Sequence, residues 1–274
     1  MVAAPLDWLR PPCVMGILNV TPDSFSDGGR HLSGDAALAR ASALAEQGAA
    51  VIDAGAESTR PGAAPVSADV QLSRLAPLLA AAREGAVPCS LSIDTTSARV
   101  AAAGLDAGAV LVNDVSAGRD DPDLLPIVAD HGAAVCLLHM RGHPGDMQHD
   151  PRYADVVGEV VDFLSARIDA ARAAGIADDA ILIDPGIGFG KTLEHNLALL
   201  GAVGRLAELG PPVVVGVSRK GMFGTLLGRP VEERLAGSLG AALAAVAGGA
   251  AVVRAHDVRE TVDAVTAWQA VCAG

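Results

Sequence analysis

The stretch AILIDPGIGFGKT (Ala180–Thr192) and the leucine-rich Leu193–Leu209 that follows it hold one complete structural unit. A short apolar run closes on Asp184, a Pro- and Gly-rich turn follows, and an amphipathic helical stretch comes next. The three glycines before Lys191-Thr192 invite comparison with a nucleotide loop, G-x-x-x-x-G-K-[ST], whose backbone N–H groups wrap a phosphate. Counting back from Gly190 puts Pro185 at the first glycine position, and proline has no N–H to offer. The dinucleotide pattern G-x-G-x-x-G fails as well, because Gly186, Gly188 and Gly190 are spaced G-x-G-x-G. The unit therefore reads as strand, turn and helix, with Asp184 at the strand's end.

The same unit recurs along the chain. Apolar runs closing on polar residues occupy Cys13–Asn19, Ala50–Glu57, Cys89–Asp94, Ala109–Asp114, Ala133–His139, Ala180–Asp184, Pro212–Lys220 and Ala250–His256. Helical stretches lie between them, among them Asp35–Gln47, Ala68–Arg83, Tyr153–Ala174, Leu193–Leu209 and Val258–Val271. Eight such repeats in 274 residues predict an α/β fold, a single-domain (β/α)8 TIM barrel over residues 1–274. An open doubly wound sheet is the alternative, since alternation alone does not close a barrel. Long loops are expected after strands 1 and 2, around GGRHLSGD (Gly28–Asp35) and STRPGAAPVS (Ser58–Ser67).

Composition narrows the function. Hydrophobic residues make up 51% of the chain and aromatics only 3%, so the core must be built from Ala, Val, Leu and Ile. A net charge of −12 argues against nucleic acid or an anionic membrane as partner. An anionic small molecule would need a local basic cluster. Four cysteines without a C-x-x-C pair, and no signal peptide, point to free thiols in a cytoplasmic protein. The charge-free run Leu235–Val253 is Ala- and Gly-rich and split by Gly248-Gly249, which favours a helix and a short strand over a membrane span.

In a parallel barrel the strand ends open on one face, where the active site lies. Asn19, Glu57, Asp94, Asn113, His139, Asp184, Lys220, Arg254 and His256 are thereby expected to ring one cavity. No basic residue directly follows Asp94 or Asp184, so a ligand rich in N–H groups, such as a 2-amino-pyrimidinone ring, suits these carboxylates. Arg60, Arg219, Lys220, Arg254 and His256 supply the basic cluster, with Asp257 as N-cap of the last helix, the alternative for Arg254 being an internal pair with Glu57 or an Asp. The trio His139, His143 and His149 lies around Gly142 and Pro144, which break the helix a zinc motif needs. A hard cation is better served by the oxygens of Asn19 and Asp27 together with a substrate phosphate.

With these motifs in order, the chain resembles the dihydropteroate synthases, the sulfonamide-sensitive enzymes of folate synthesis. The resemblance rests on MGILNVTPDSFSDGG (Met15–Gly29), ESTRPGA (Glu57–Ala63), SIDT (Ser92–Thr95), NDVS (Asn113–Ser116), HMRGHPGDMQ (His139–Gln148), DPGIGFGK (Asp184–Lys191), SRK (Ser218–Lys220) and RAHD (Arg254–Asp257). Departures at Ala54, Ala56 and Ala255 touch no functional side chain.

The resemblance implies a (β/α)8 transferase that joins a dihydropterin pyrophosphate to the amine of p-aminobenzoate and releases pyrophosphate. It implies a pterin site of Asp94, Asn113, Met140, Asp184, Phe189, Lys220 and Arg254. Asn19, Thr59, Arg60, Arg254 and His256 would hold the pyrophosphate, with Mg2+ on Asn19 and Asp27. Phe25, Pro61, Ser218, Arg219 and Lys220 would frame the p-aminobenzoate. Asn19, Asp27, Arg60, Lys220, Arg254 and His256 are thus the expected catalytic groups, in a homodimer. A folate-dependent methyltransferase and a non-catalytic pterin-binding paralogue are the competing readings. ESTRPG and RAHD count against the first, and the intact first loop against the second.

Overall fold

A computed structural model of the chain describes residues 6–21, 34–58 and 62–273. Eight parallel strands alternate with helices. They are β1 (Cys13–Asn19), β2 (Val51–Gly55), β3 (Ser90–Asp94), β4 (Leu111–Asp114), β5 (Ala134–Leu138), β6 (Ile181–Asp184), β7 (Val214–Gly216) and β8 (Val252–Ala255). The sheet runs β6-β5-β4-β3-β2-β1-β8-β7. A single bridge between Ile183 and Val213 joins its two ends and closes the barrel. The expected (β/α)8 architecture is the one found, and the open sheet is not.

Each strand is buried because helices cover the outside and side chains fill the inside, which is why the runs are apolar throughout. The helices are α1 (Gly34–Glu46), α2 (Ala68–Arg83), α3 (Ala98–Leu105), α4 (Leu124–Asp130), α5 (Val156–Ala173), α6 (Leu193–Gly201), α7 (Val203–Ala207), α8 (Met222–Leu227), α9 (Leu235–Ala247) and α10 (Val258–Cys272). Small residues let them sit close to the sheet. A methyl group at Gly104 of α3 would lie 2.4 Å from Cγ1 of Ile93 on β3.

Two helical features differ from the sequence expectation. Leu193–Leu209 is two helices, broken at Ala202 (φ −110°) after Gly201, a weak helix former, so that Val203 and Leu206 of α7 turn into the core. A short α8 also stands between β7 and α9. The charge-free run divides into α9 and β8 as expected, and no helix among the described residues is long and apolar enough to cross a membrane. All four cysteines are free.

Candidate active site

Strand register assembles the site. Asn19 of β1 lies opposite Gly55 of β2, Gly55 opposite Asp94 of β3, and Asp94 opposite Asn113 of β4. On the far side, Gly216 of β7 lies opposite Arg254 of β8. Asp94, Asn113, Asp184, Lys220 and Arg254 line one cavity at this end of the barrel. Val115, Leu138, Ile187, Phe189 and Gly216 complete its walls.

The polar groups of the cavity are partly committed to one another. Arg254 donates from Nε to Asp53 Oδ2 and from Nη2 to Asp94 Oδ2, each at 2.6 Å. Asp53 is fully buried and also accepts from Ser92 Oγ (2.7 Å) and Asn113 Nδ2 (2.9 Å). Asp184 accepts from the Gly186 N–H at 2.6 Å. That leaves Asp94 Oδ1, Asp184 Oδ2 and the Asn113 carbonyl oxygen without a partner among the described residues. No fully buried side-chain N or O atom among those residues lacks a partner, so these three oxygens must open on the cavity.

Burial raises the Asp94 carboxyl to about 7, against the lowering effect of Arg254, and Asp53, Asp114 and Glu57 add to the rise. Asp184 is raised by burial too, but Gly186, Lys220 and Arg254 favour its charged form. Lys220 falls to about 8 through burial, which Asp184 and Asp94 oppose, and its Nζ stands 4.3 Å from the centre of the Phe189 ring. Burial disfavours the charge of Arg254, but Asp53 and Asp94 outweigh it and raise its pKa above the usual value.

The loop from Asp184 to Lys191 is shaped by contact with the β5 loop. Gly186, Gly188 and Gly190 all have positive φ (+68°, +83° and +63°). A Cβ at Gly186 would lie 1.9 Å from the His139 carbonyl oxygen, and one at Gly190 2.3 Å from that of Arg141. Lys191, buried, reaches His139 Nδ1 at 2.8 Å and donates to the carbonyls of His139 (3.3 Å) and Phe189 (3.0 Å). It therefore ties the two loops together behind Phe189. Thr192 begins α6 with a capping box, accepting from His195 N while His195 Nδ1 accepts from Thr192 N. The Lys-Thr pair is architectural here.

Several expected ring members face elsewhere. Glu57 accepts from Val66 N and Gln71 Nε2, stapling the loop between β2 and α2. His139 points to Lys191 and packs edge-on against Phe163, because it lies beyond the end of β5, where the strand's alternation has ended. Burial and the charge of Lys191 hold it neutral, its pKa lowered to about 2. Met140, expected at the pterin site, is buried in one cluster with Val115, Leu138 and Phe189 of the cavity wall and with Met147. Asp94 has a basic partner after all, Arg254, brought across the barrel from β8. Asp257 sits at the N-cap position of α10, but its carboxylate forms an ion pair with Arg219 and caps nothing.

At the rim, Ser218 Oγ accepts from His256 N (3.1 Å) and meets His256 Nδ1 at 3.0 Å, so the loops after β7 and β8 are joined. Arg219, with φ of +57° and half exposed, holds its guanidinium on Asp257. Asn19 ends β1 half-buried, and its carboxamide has no hydrogen-bond partner among the described residues. Phe25, Asp27, Thr59, Arg60 and Pro61 lie outside the described residues. Asp53 and Ser92 are the participants that sequence reading missed.

A (β/α)8 barrel with unpaired carboxylate oxygens in a partly apolar slot defines a binder of flat, N–H-rich rings, and the family model described as pterin binding enzyme matches residues 15–256. The dihydropteroate synthase of Synechocystis sp. is 46% identical, the match covering 92% of this chain and 87% of the relative. The Yersinia pestis dihydropteroate synthase, solved with a sulfonamide drug complex, superposes with a TM-score of 0.90 at 45% identity, covering 96% of this chain and 95% of that one. The Xanthomonas albilineans enzyme with 4-aminobenzoic acid gives 0.89 at 49% identity, covering 97% and 94%. With 7,8-dihydropteroate it gives 0.86 at 46%, covering 97% and 95%. The chain belongs to the dihydropteroate synthases, transferases of folate biosynthesis.

Proposed function

We propose that the slot binds the ring of 6-hydroxymethyl-7,8-dihydropterin pyrophosphate and that p-aminobenzoate attacks its exocyclic carbon, giving 7,8-dihydropteroate and pyrophosphate. The observation that carries this reading is the set of three unpartnered oxygens, on Asp94, Asp184 and Asn113, around a slot walled by Ile187 and Phe189. A 2-amino-pyrimidinone edge offers the adjacent N–H donors such oxygens need. Lys220 is the matching donor for a ring nitrogen or carbonyl.

The chemistry follows from this division of charge. The C–O bond to pyrophosphate breaks as the pterin delocalises the positive charge left on its CH2. Asp94 and Asp184 favour that cation. Arg254 and His256 stand at the end where the anion departs, and Thr59 and Arg60 belong to that group by family resemblance. Ser218 and Arg219 at the rim, with Phe25, Pro61 and Lys220, are the proposed frame for p-aminobenzoate. The aromatic amine needs positioning more than activation.

Asn19 suits Mg2+ by its donor chemistry, since its unpartnered carboxamide oxygen is a hard ligand at the strand end. Asp27 would be the second protein ligand. When bound, the ion would screen the charge of the departing pyrophosphate. We further place the enzyme in the cytoplasm as a homodimer. The exposed Leu197 on α6 and Leu226 and Leu227 on α8 are apolar surface that a second copy could cover. The test is direct: pyrophosphate release from purified protein must require both substrates and Mg2+. Release independent of p-aminobenzoate, or none at all, refutes the proposal.

A further inference from the structure

We propose that Asp53, buried beneath the pocket on β2, is a positioning residue that keeps Arg254 and Asn113 in the geometry the pterin site requires. The inference rests on the pocket reading above and extends it to a residue that does not line the cavity. Asp53 has no solvent exposure and is absent from the cavity wall. Nothing in its own strand explains a carboxylate there, because its neighbours Val51, Ile52 and Ala54 are all core residues. Its donors come from three other strands: Ser92 on β3, Asn113 on β4 and Arg254 on β8. A buried carboxylate with this set of donors is held rigidly, so it can fix the groups that donate to it.

The Arg254 geometry shows what is being fixed. Nε goes to Asp53 and Nη2 to Asp94, so the guanidinium bridges the two carboxylates and takes only one oxygen of Asp94. Asp94 Oδ1 therefore stays open to the cavity. Without the Asp53 anchor, a fork-shaped guanidinium beside a single carboxylate adopts the bidentate arrangement and occupies both oxygens. Arg254 would then compete with the ligand for Asp94. Asn113 is held in the same way. Its Nδ2 is committed to Asp53, which turns its carbonyl oxygen toward the cavity. One buried carboxylate thus presents two acceptors to the substrate.

The test is steady-state kinetics of the full-length enzyme with the pterin pyrophosphate and p-aminobenzoate varied separately. Asp53→Asn keeps the shape but loses the charge. It is expected to lower kcat/KM for the pterin substrate by about 10- to 100-fold. The KM for p-aminobenzoate should stay within about twofold, because that substrate binds outside this network. In a double-mutant cycle with Arg254→Lys, the paired variant should lose little more than the worse single variant. An unchanged pterin kcat/KM, fully multiplicative losses, or an equal rise in both KM values would overturn the proposal.

Ser92→Ala, a small change that keeps the carboxylate, guards against misfolding of the first variant. It should still lower pterin kcat/KM by about threefold, and no change there would also overturn the inference. Asp94→Asn separates the two levels of the argument. If it binds pterin normally, the pocket reading fails and the role of Asp53 falls with it. If it loses pterin binding while Asp53→Asn does not, only the positioning role falls.

Discussion

The loop from Asp184 to Thr192 places a ligand-facing carboxylate and a buried lysine seven residues apart, and exchanging each should separate binding from stability. Asp184→Asn replaces an acceptor with an amide whose NH2 must face either the Gly186 N–H or the ligand, both donors. A charge-assisted hydrogen bond is worth about 1.5–3 kcal/mol, so pterin affinity should fall by about 10- to 150-fold. Lys191→Ala removes the donor for the His139 and Phe189 carbonyls and the partner of His139 Nδ1. These acceptors lie behind the slot. Stranding them should cost about 2–4 kcal/mol of stability, on the order of 5–15 °C in Tm, with pterin affinity within about threefold of the parent. Titration calorimetry with a pterin and a thermal scan, run on both variants, measure the two quantities. An equal loss of affinity would refute the assignment of Lys191 as a loop tie. A large Tm loss from Asp184→Asn with intact affinity would refute the assignment of Asp184 as a ligand group.

Two pH responses follow from the buried groups. His139 is neutral in the fold, with a pKa of about 2 against 6.5 for the free side chain, so only the unfolded chain takes up a proton as pH falls below 6.5. Stability from this residue is complete above pH 6.5 and about 2 kcal/mol lower at pH 5, and His139→Gln should remove that part of the slope in urea titrations at the two pH values. Asp94 has the opposite sign for stability: its folded pKa near 7 means that the fold holds a proton the unfolded chain releases. For ligand binding, its protonation removes an acceptor, so pterin affinity should fall by about fivefold from pH 7 to pH 6. A flat affinity profile between pH 5.5 and 8 would contradict that, whereas Asp94→Asn should give one.

The sequence made the site legible where a strand end coincides with a pocket position. Asp94 and Asp184 were readable because each closes an apolar run, and Asn113 because it stands one residue before the close of its own; a parallel barrel sends all such ends to one face. Glu57 and His139 look the same in sequence, yet each lies just past the last strand residue, where the period of two no longer fixes direction. Asp53 was hidden for a different reason. It lies inside the run VIDAG, and its partner Arg254 is 201 residues away, meeting it only because β1 pairs with both β2 and β8. The order of strands in the sheet, β2-β1-β8, not local pattern, creates that ion pair.

The same strand order divides charge within an acidic protein that must handle an anionic leaving group. Around the cavity and just beneath it, Asp53, Asp94 and Asp184 face Arg254 and Lys220, leaving one negative charge in excess when all are ionised. Arg254 is the group that both sides contest, since its guanidinium is already held by two carboxylates. It can therefore give the departing pyrophosphate only the edge that Asp53 and Asp94 leave open. Most of the anion's stabilisation must then come from the rim, where His256 and Ser218 link the last two loops, and from the Thr59 and Arg60 proposed for the pyrophosphate. A floor that favours a cation and a rim that favours an anion is the separation a dissociating C–O bond requires.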